Sequence, residues 1–101
     1  MREFKIKKIH FAPRFFKSFE KLHDSVKTMA KKKDKLFRIN PFDPKLHTHK
    51  LKGKLSGAWS YYINHDYRIL FRFIKQDEVL YYDIGTHEIY NPNLRIKMTI
   101  K

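Results

Sequence analysis

Cysteine is missing altogether from these 101 residues, which removes disulfide frameworks, thiolate zinc sites and thiol nucleophiles together. The absence fits a reducing compartment. Long apolar runs are missing too. No segment approaches the ~18 apolar residues of a membrane span. The first residues, Met1-Arg2-Glu3-Phe4-Lys5-Ile6-Lys7-Lys8, never build the apolar stretch of a signal peptide. A soluble, cytoplasmic protein without a membrane partner is therefore expected. Negative charge is scarce, with 10 Asp and Glu against 23 Lys and Arg, and no carboxylate cluster suits two-metal nuclease chemistry. Neither a repeat nor a linker divides the chain, so a single domain over 1–101 is expected.

Against those absences stand an apolar fraction of 42% and an aromatic fraction of 16%, enough to bury a core and to argue against disorder. The net charge is +13 and unevenly spread: residues 1–58 hold 17 Lys and Arg against 5 Asp and Glu, residues 59–101 hold 6 against 5. A field this large repels itself, so a polyanion or an acidic partner is expected to neutralise it. The plainer alternative is a solvated basic face that keeps the protein soluble.

Phe4, Ile6 and Lys8 alternate with Lys5 and Lys7 and predict a strand over about 2–10. Pro13 suits the first position of a helix. Phe15, Phe19, Leu22, Val26 and Met29 follow at steps of 4, 3, 4 and 3, the seam of an amphipathic helical hairpin. A break near His23, with Asp24 or Ser25 as cap, would divide it. Asn40-Pro41-Phe42-Asp43-Pro44 stops the second helix, because proline lacks an amide and disfavours helix before it. Lys45 to Gly57 reads as a basic loop. From Trp59 the period becomes two, with strands at Trp59–Ile63, Tyr67–Ile74 and Val79–Ile84 and a further alternation over 94–100. The expected fold is α+β: an N-terminal strand and a two-helix hairpin packed on one face of a twisted antiparallel sheet of four or five strands.

Five segments then resemble, in order, the RelE/ParE superfamily and its YafQ/RelE-like messenger-RNA interferases: Asn40–Pro44, Thr48–Leu55, Gly57–Ser60, Asp66–Phe71 and Asp83–Tyr90. They cover 31 of the 101 residues. The resemblance implies a toxin silenced by an antitoxin, cutting messenger RNA on the ribosome without a cofactor or metal. It implies a phosphate-binding role for Arg68 and a catalytic one for His87, with Asp66, His49 and Tyr90 as further members. His65 matches a family histidine less directly. The lysine pair that RelE carries on its first hairpin strand is replaced here by Trp59-Ser60-Tyr61-Tyr62, which leaves the general base open.

The residue types suit that chemistry. Metal-free RNA cleavage needs a base for the 2′-hydroxyl, an acid for the leaving oxygen and cations for the charged phosphorane. Histidine can do the first two and arginine the third. Alternation places Arg68 mid-strand, with Arg72, on the face opposite Tyr67, Ile69, Phe71 and Phe73, where the alternative is charge pairing with Asp83. His87 follows a strand-ending glycine that would free the backbone to re-aim it; otherwise it is an ordinary surface histidine. Asp66 either orients a histidine or makes the hairpin turn. Lys50, Lys52 and Lys54 join His49 as candidate phosphate contacts, and Trp59 is either core or a base-stacking platform. Of the adjacent pairs Tyr61-Tyr62 and Tyr81-Tyr82, one member each must face outward. His47 and His49 make a weak metal reading. The rival functions are a ParE-like inhibitor of DNA gyrase without nuclease activity and a non-catalytic basic RNA-binding module.

Overall fold

The structure, a computed structural model, describes residues 5–90. The alternation over 94–100 and the residues 1–4 lie outside the described residues. Chain order is β1 (Lys8–Phe11), α1 (Pro13–Glu20), α2 (Asp24–Ile39), a 3-10 turn (Pro44–Leu46), β2 (His49–Lys50), a second 3-10 turn (Gly53–Leu55), β3 (Trp59–Tyr62), β4 (Arg68–Lys75), β5 (Glu78–Gly85) and a third 3-10 turn (His87–Tyr90). No helix among them is long and apolar enough to cross a membrane.

Both helices begin and end for local reasons. Pro13 opens α1 after an extended Ala12, its fixed φ matching a helix and its missing amide costing nothing there. The hairpin breaks where expected, but the cap is His23, through its backbone carbonyl, which accepts the amides of Val26 and Lys27. Asp24 instead lies in the first turn, where its charge meets the positive end of the helix dipole. α2 stops at Ile39 because Asn40 precedes Pro41 and is extended.

The sheet holds five strands in the order β1-β5-β4-β3-β2, and it is mixed rather than antiparallel. β1 runs parallel to β5, Lys8 opposite Glu78 and Phe11 opposite Tyr81, because the helical hairpin carries the chain across before the meander begins. The first strand is shorter than alternation suggests: Lys8 to Phe11 instead of about 2–10. The expected basic loop also contains β2, which pairs with β3, His49 opposite Ser60 and Lys50 opposite Trp59. The three meander strands fall within one residue of expectation at every end, with Ile63 and Tyr67 given up to the hairpin loop.

The core lies between the helices and one face of the sheet. Phe37 is its centre, fully buried, with the rings of Tyr61, Phe71 and Tyr81 at 4.6, 4.9 and 5.7 Å. Such ring pairs each add about 0.5–1.5 kcal/mol beyond the area they bury. The helical seam faces this core as its spacing predicts: Phe15 and Val26 are buried, while Phe19, Leu22 and Met29 pack against it. Buried polar groups here are paired. Tyr81 donates to Asp34 at 2.7 Å, its hydroxyl lies 2.8 Å from that of Tyr61, and Arg38 donates to Asp34 at 2.8 Å. Burial pushes both phenols far above their ordinary range. At the sheet edge His10 bonds Glu78 and holds its carboxyl below the usual range.

Candidate active site

The opposite face of the sheet is partly covered, not open. Leu70 is fully buried there with Ala58 and Ile89, and Leu51, Tyr82 and Tyr90 pack around them. The cover is the turn His87–Tyr90, which folds back after β5. Gly85 makes this approach close: a Cβ on it would meet the Ile89 side chain at 3.0 Å. Gly85 has no left-handed backbone; its value is space, not the backbone freedom that the sequence suggests. Thr86 starts the turn by accepting the Ile89 amide at 3.0 Å.

Beside this small cluster lies a cleft of about 550 Å³ lined by His65, Asp66, Tyr67, Arg68, Thr86, His87 and Glu88. Four of the expected site residues, His65, Asp66, Arg68 and His87, thus share one wall system, brought there by the β3–β4 hairpin loop and the end of β5. Arg68 opens β4 rather than sitting in mid-strand, and stands opposite Tyr62 on one side and Gly85 on the other. Its guanidinium carbon is 4.4 Å from the centre of the Tyr62 ring and 5.8 Å from that of Tyr90. One terminal N–H reaches the His65 carbonyl at 3.3 Å, while Nε is out of solvent with no hydrogen-bond partner. Charge pairing with Asp83 does not occur. That carboxylate is buried and taken by Arg14 at 3.0 Å, Ser18 at 2.6 Å and the Ile84 amide at 2.8 Å, tying α1 to the strand that leads to His87.

The other expected members divide. His87 is exposed at the start of its turn. His65 and Asp66 are exposed neighbours, Nδ1 to Oδ1 3.6 Å. The turn between β3 and β4 is made by Asn64, whose side-chain oxygen accepts the amides of Asp66 and Tyr67 at 2.8 and 2.7 Å, so the Asp66 carboxylate is not needed for it. Tyr90 meets Arg68 with its ring, and its hydroxyl is turned to the buried Ser60 at 2.6 Å. His49 lies with Ser60 on the cleft side of the sheet, its ring 6.0 Å from that of Tyr62. His47 is 5.2 Å from the same ring and holds a left-handed backbone, φ 52°, at a cost of about 1–2 kcal/mol for a non-glycine residue.

Several expected contacts fall elsewhere. Trp59 packs against Phe42 and Phe73 at the rim of the helix-side core, so the core reading holds and it does not join the cleft. Lys50, directly opposite Trp59, shares that face. Lys52 is exposed beyond β2, and the side chain of Lys54 lies outside the description. Arg72 is exposed one turn of the pleat beyond Leu70, about 13 Å along the strand from Arg68. Tyr62 is the outward member of the pair Tyr61-Tyr62, but its place beside Arg68 was not foreseen. Only the cross-strand register, Tyr62 opposite Arg68, reveals it. Among the described residues no three His, Asp or Glu side chains gather as metal ligands would.

No family model matches the chain, and no curated protein sequence matches it. Solved structures do share its fold. YafQ from E. coli strain BL21(DE3) superposes with a TM-score of 0.69 at 16% identity, covering 82% of this chain and 96% of that one; it is matched also within the E. coli DinJ–YafQ toxin–antitoxin complex. A YoeB/ParE toxin from Agrobacterium tumefaciens gives 0.67 at 18% identity, over 80% and 99% of the two chains. A copper-bound mutant toxin from Helicobacter pylori gives 0.60 at 26%, over 81% and 96%. The fold is therefore that of the RelE/ParE-type toxins, two helices on a mixed five-stranded sheet. Within that class it resembles the YafQ and YoeB/ParE members in nearly their whole length.

Proposed function

We propose that the chain is the toxin of a type II toxin–antitoxin pair and an endoribonuclease that cuts messenger RNA. The observation that carries the reading is the convergence of an arginine set against two tyrosine rings with two histidines and two carboxylates in one cleft. Arg68 supplies charge where the phosphorane forms. His87, exposed across the cleft, has the chemistry to move the proton of the leaving oxygen or of the 2′-hydroxyl. His65, His49 and Asp66 are the remaining candidates for its counterpart. The chemistry is complete without a metal, since acid, base and cation are all side chains.

The net charge of +13 supports an RNA substrate and an acidic antitoxin, as a helical segment that covers the basic surface. YafQ, a protein of this fold, is matched in a toxin–antitoxin complex with DinJ. Cleavage at the ribosome, in the cytoplasm, is the setting that the resemblance to YafQ-type toxins implies. His87→Ala is expected to bind RNA as the native protein does and to cleave at least ~10²-fold more slowly. Wild-type activity should persist in EDTA. Cleavage by His87→Ala at the native rate would remove His87 from the mechanism. Inhibition of purified gyrase with RNA left intact would favour the non-catalytic reading.

A further inference from the structure

We propose that Tyr62 is the positioning residue of this cleft: its ring holds the Arg68 guanidinium in place, so that the arginine meets a phosphate end-on. The proposal rests on the ribonuclease reading for its consequence, but its geometry stands apart from it.

Tyr62 and Arg68 are directly opposed at the adjoining ends of β3 and β4, the arrangement in which cross-strand side chains touch. At 4.4 Å from ring centre to guanidinium carbon the contact is close for a cation over an aromatic face. The guanidinium has five N–H groups in a fixed fork. Here Nε is out of solvent without a partner, and one terminal N–H is engaged by the His65 carbonyl. The side-on edge that includes Nε is thus withdrawn from any ligand. That leaves the remaining terminal N–H groups, which suit the two free oxygens of a phosphodiester.

The ring itself is held. His47 and His49 both lie against it, at 5.2 and 6.0 Å. His47 does so from a left-handed backbone, a conformation that persists only where its surroundings enforce it. Tyr90 approaches the same guanidinium at 5.8 Å, with its hydroxyl anchored on Ser60. An unrestrained arginine would sample many rotamers and lose them on binding. Against two anchored rings most of that ordering is already done. The ring of Tyr62 is the working part, since its hydroxyl has no role in this scheme.

The test compares Tyr62→Phe with Tyr62→Leu, each alone and combined with Arg68→Ala. Three quantities are read: single-turnover cleavage of RNA, melting temperature, and the NMR signal of the Arg68 Nε–H. Tyr62→Phe is expected to keep native cleavage and a sharp, exchange-protected Nε–H signal. Tyr62→Leu is expected to melt as a folded protein, to lose the protected signal, and to cleave about tenfold more slowly. In the Arg68→Ala background Tyr62→Leu should cause no further loss. An equal loss with and without Arg68, or a protected Nε–H in Tyr62→Leu, overturns the proposal while leaving the ribonuclease reading intact. Absence of cleavage by the native protein would overturn that reading alone, and the Nε–H signal would still decide whether Tyr62 holds Arg68. Should Tyr62→Leu fail to fold, Tyr62→Ile, a stronger strand former, takes its place with the same expected results.

Discussion

The two faces of the sheet use the same residue types to opposite ends. Tyr61 and Tyr81 on the helix side are buried, joined hydroxyl to hydroxyl and closed off by Asp34. Tyr62 and Tyr90 on the cleft side are half-buried and meet a cation with their rings. Ile69 fills the core, and its neighbour Arg68 lines the cleft. A period of two lets neighbouring residues serve stability and chemistry separately. The lesson is that mutations one residue apart in β3 or β4 should fall on different observables.

The largest expected effect breaks the helix side. Phe37→Ala empties the centre of the aromatic core and should cost about 3–5 kcal/mol in denaturant unfolding. A loss under 1 kcal/mol would mean that Phe37 is not the keystone of that face. Asp83→Ala comes next, because it leaves the Ile84 amide and Ser18 without their buried acceptor. A loss of about 1–3 kcal/mol is expected in the same unfolding measurement. Tyr61→Phe sharpens the contrast with its neighbour. It removes one buried hydroxyl bond, worth about 0.5–1.5 kcal/mol, and should leave RNA cleavage untouched, the reverse of Tyr62→Leu.

The smallest effect is at the β1–β5 edge. Hydrogen bonding to His10 depresses the Glu78 pKa. A group with a lowered folded pKa contributes stability above its unfolded value of 4.5, and that contribution is lost as pH falls through the folded value. Carboxyl NMR titration should place the Glu78 midpoint below 4.5 and return it toward the ordinary range in His10→Ala. An unchanged midpoint would show the pair to be without thermodynamic effect.

Much of the fold was legible because hydrophobic period is a local property. The helical seam from Phe15 to Met29, the stop at Asn40-Pro41 and the three meander strands all follow from side-chain spacing. The parallel pairing of β1 was not legible, since alternation over Lys5–Lys8 says nothing of the partner strand or its direction. Nor was β2, whose residues His49 and Lys50 carry no apolar pattern and are ordered by β3. In the cleft, Arg68 was legible by alternation and His87 by resemblance. That Tyr61 or Tyr62 faces outward was legible; that Tyr62 stands opposite Arg68 was not, because register is not contained in a single strand's sequence. The same gap left the face of Trp59 open: only its register, opposite Phe71 and Lys50, sets it on the helix side.

The division between the faces is tested most directly by Arg68→Ala, read for both RNA cleavage and melting. Single-turnover cleavage is expected to fall by about 10²–10³-fold, as when one charge-stabilising donor is removed. The melting temperature should hardly move, because the guanidinium meets a carbonyl and two neutral rings and its removal leaves no buried counter-charge unpaired there. Cleavage at the native rate, or a collapse of the fold together with activity, would contradict the account.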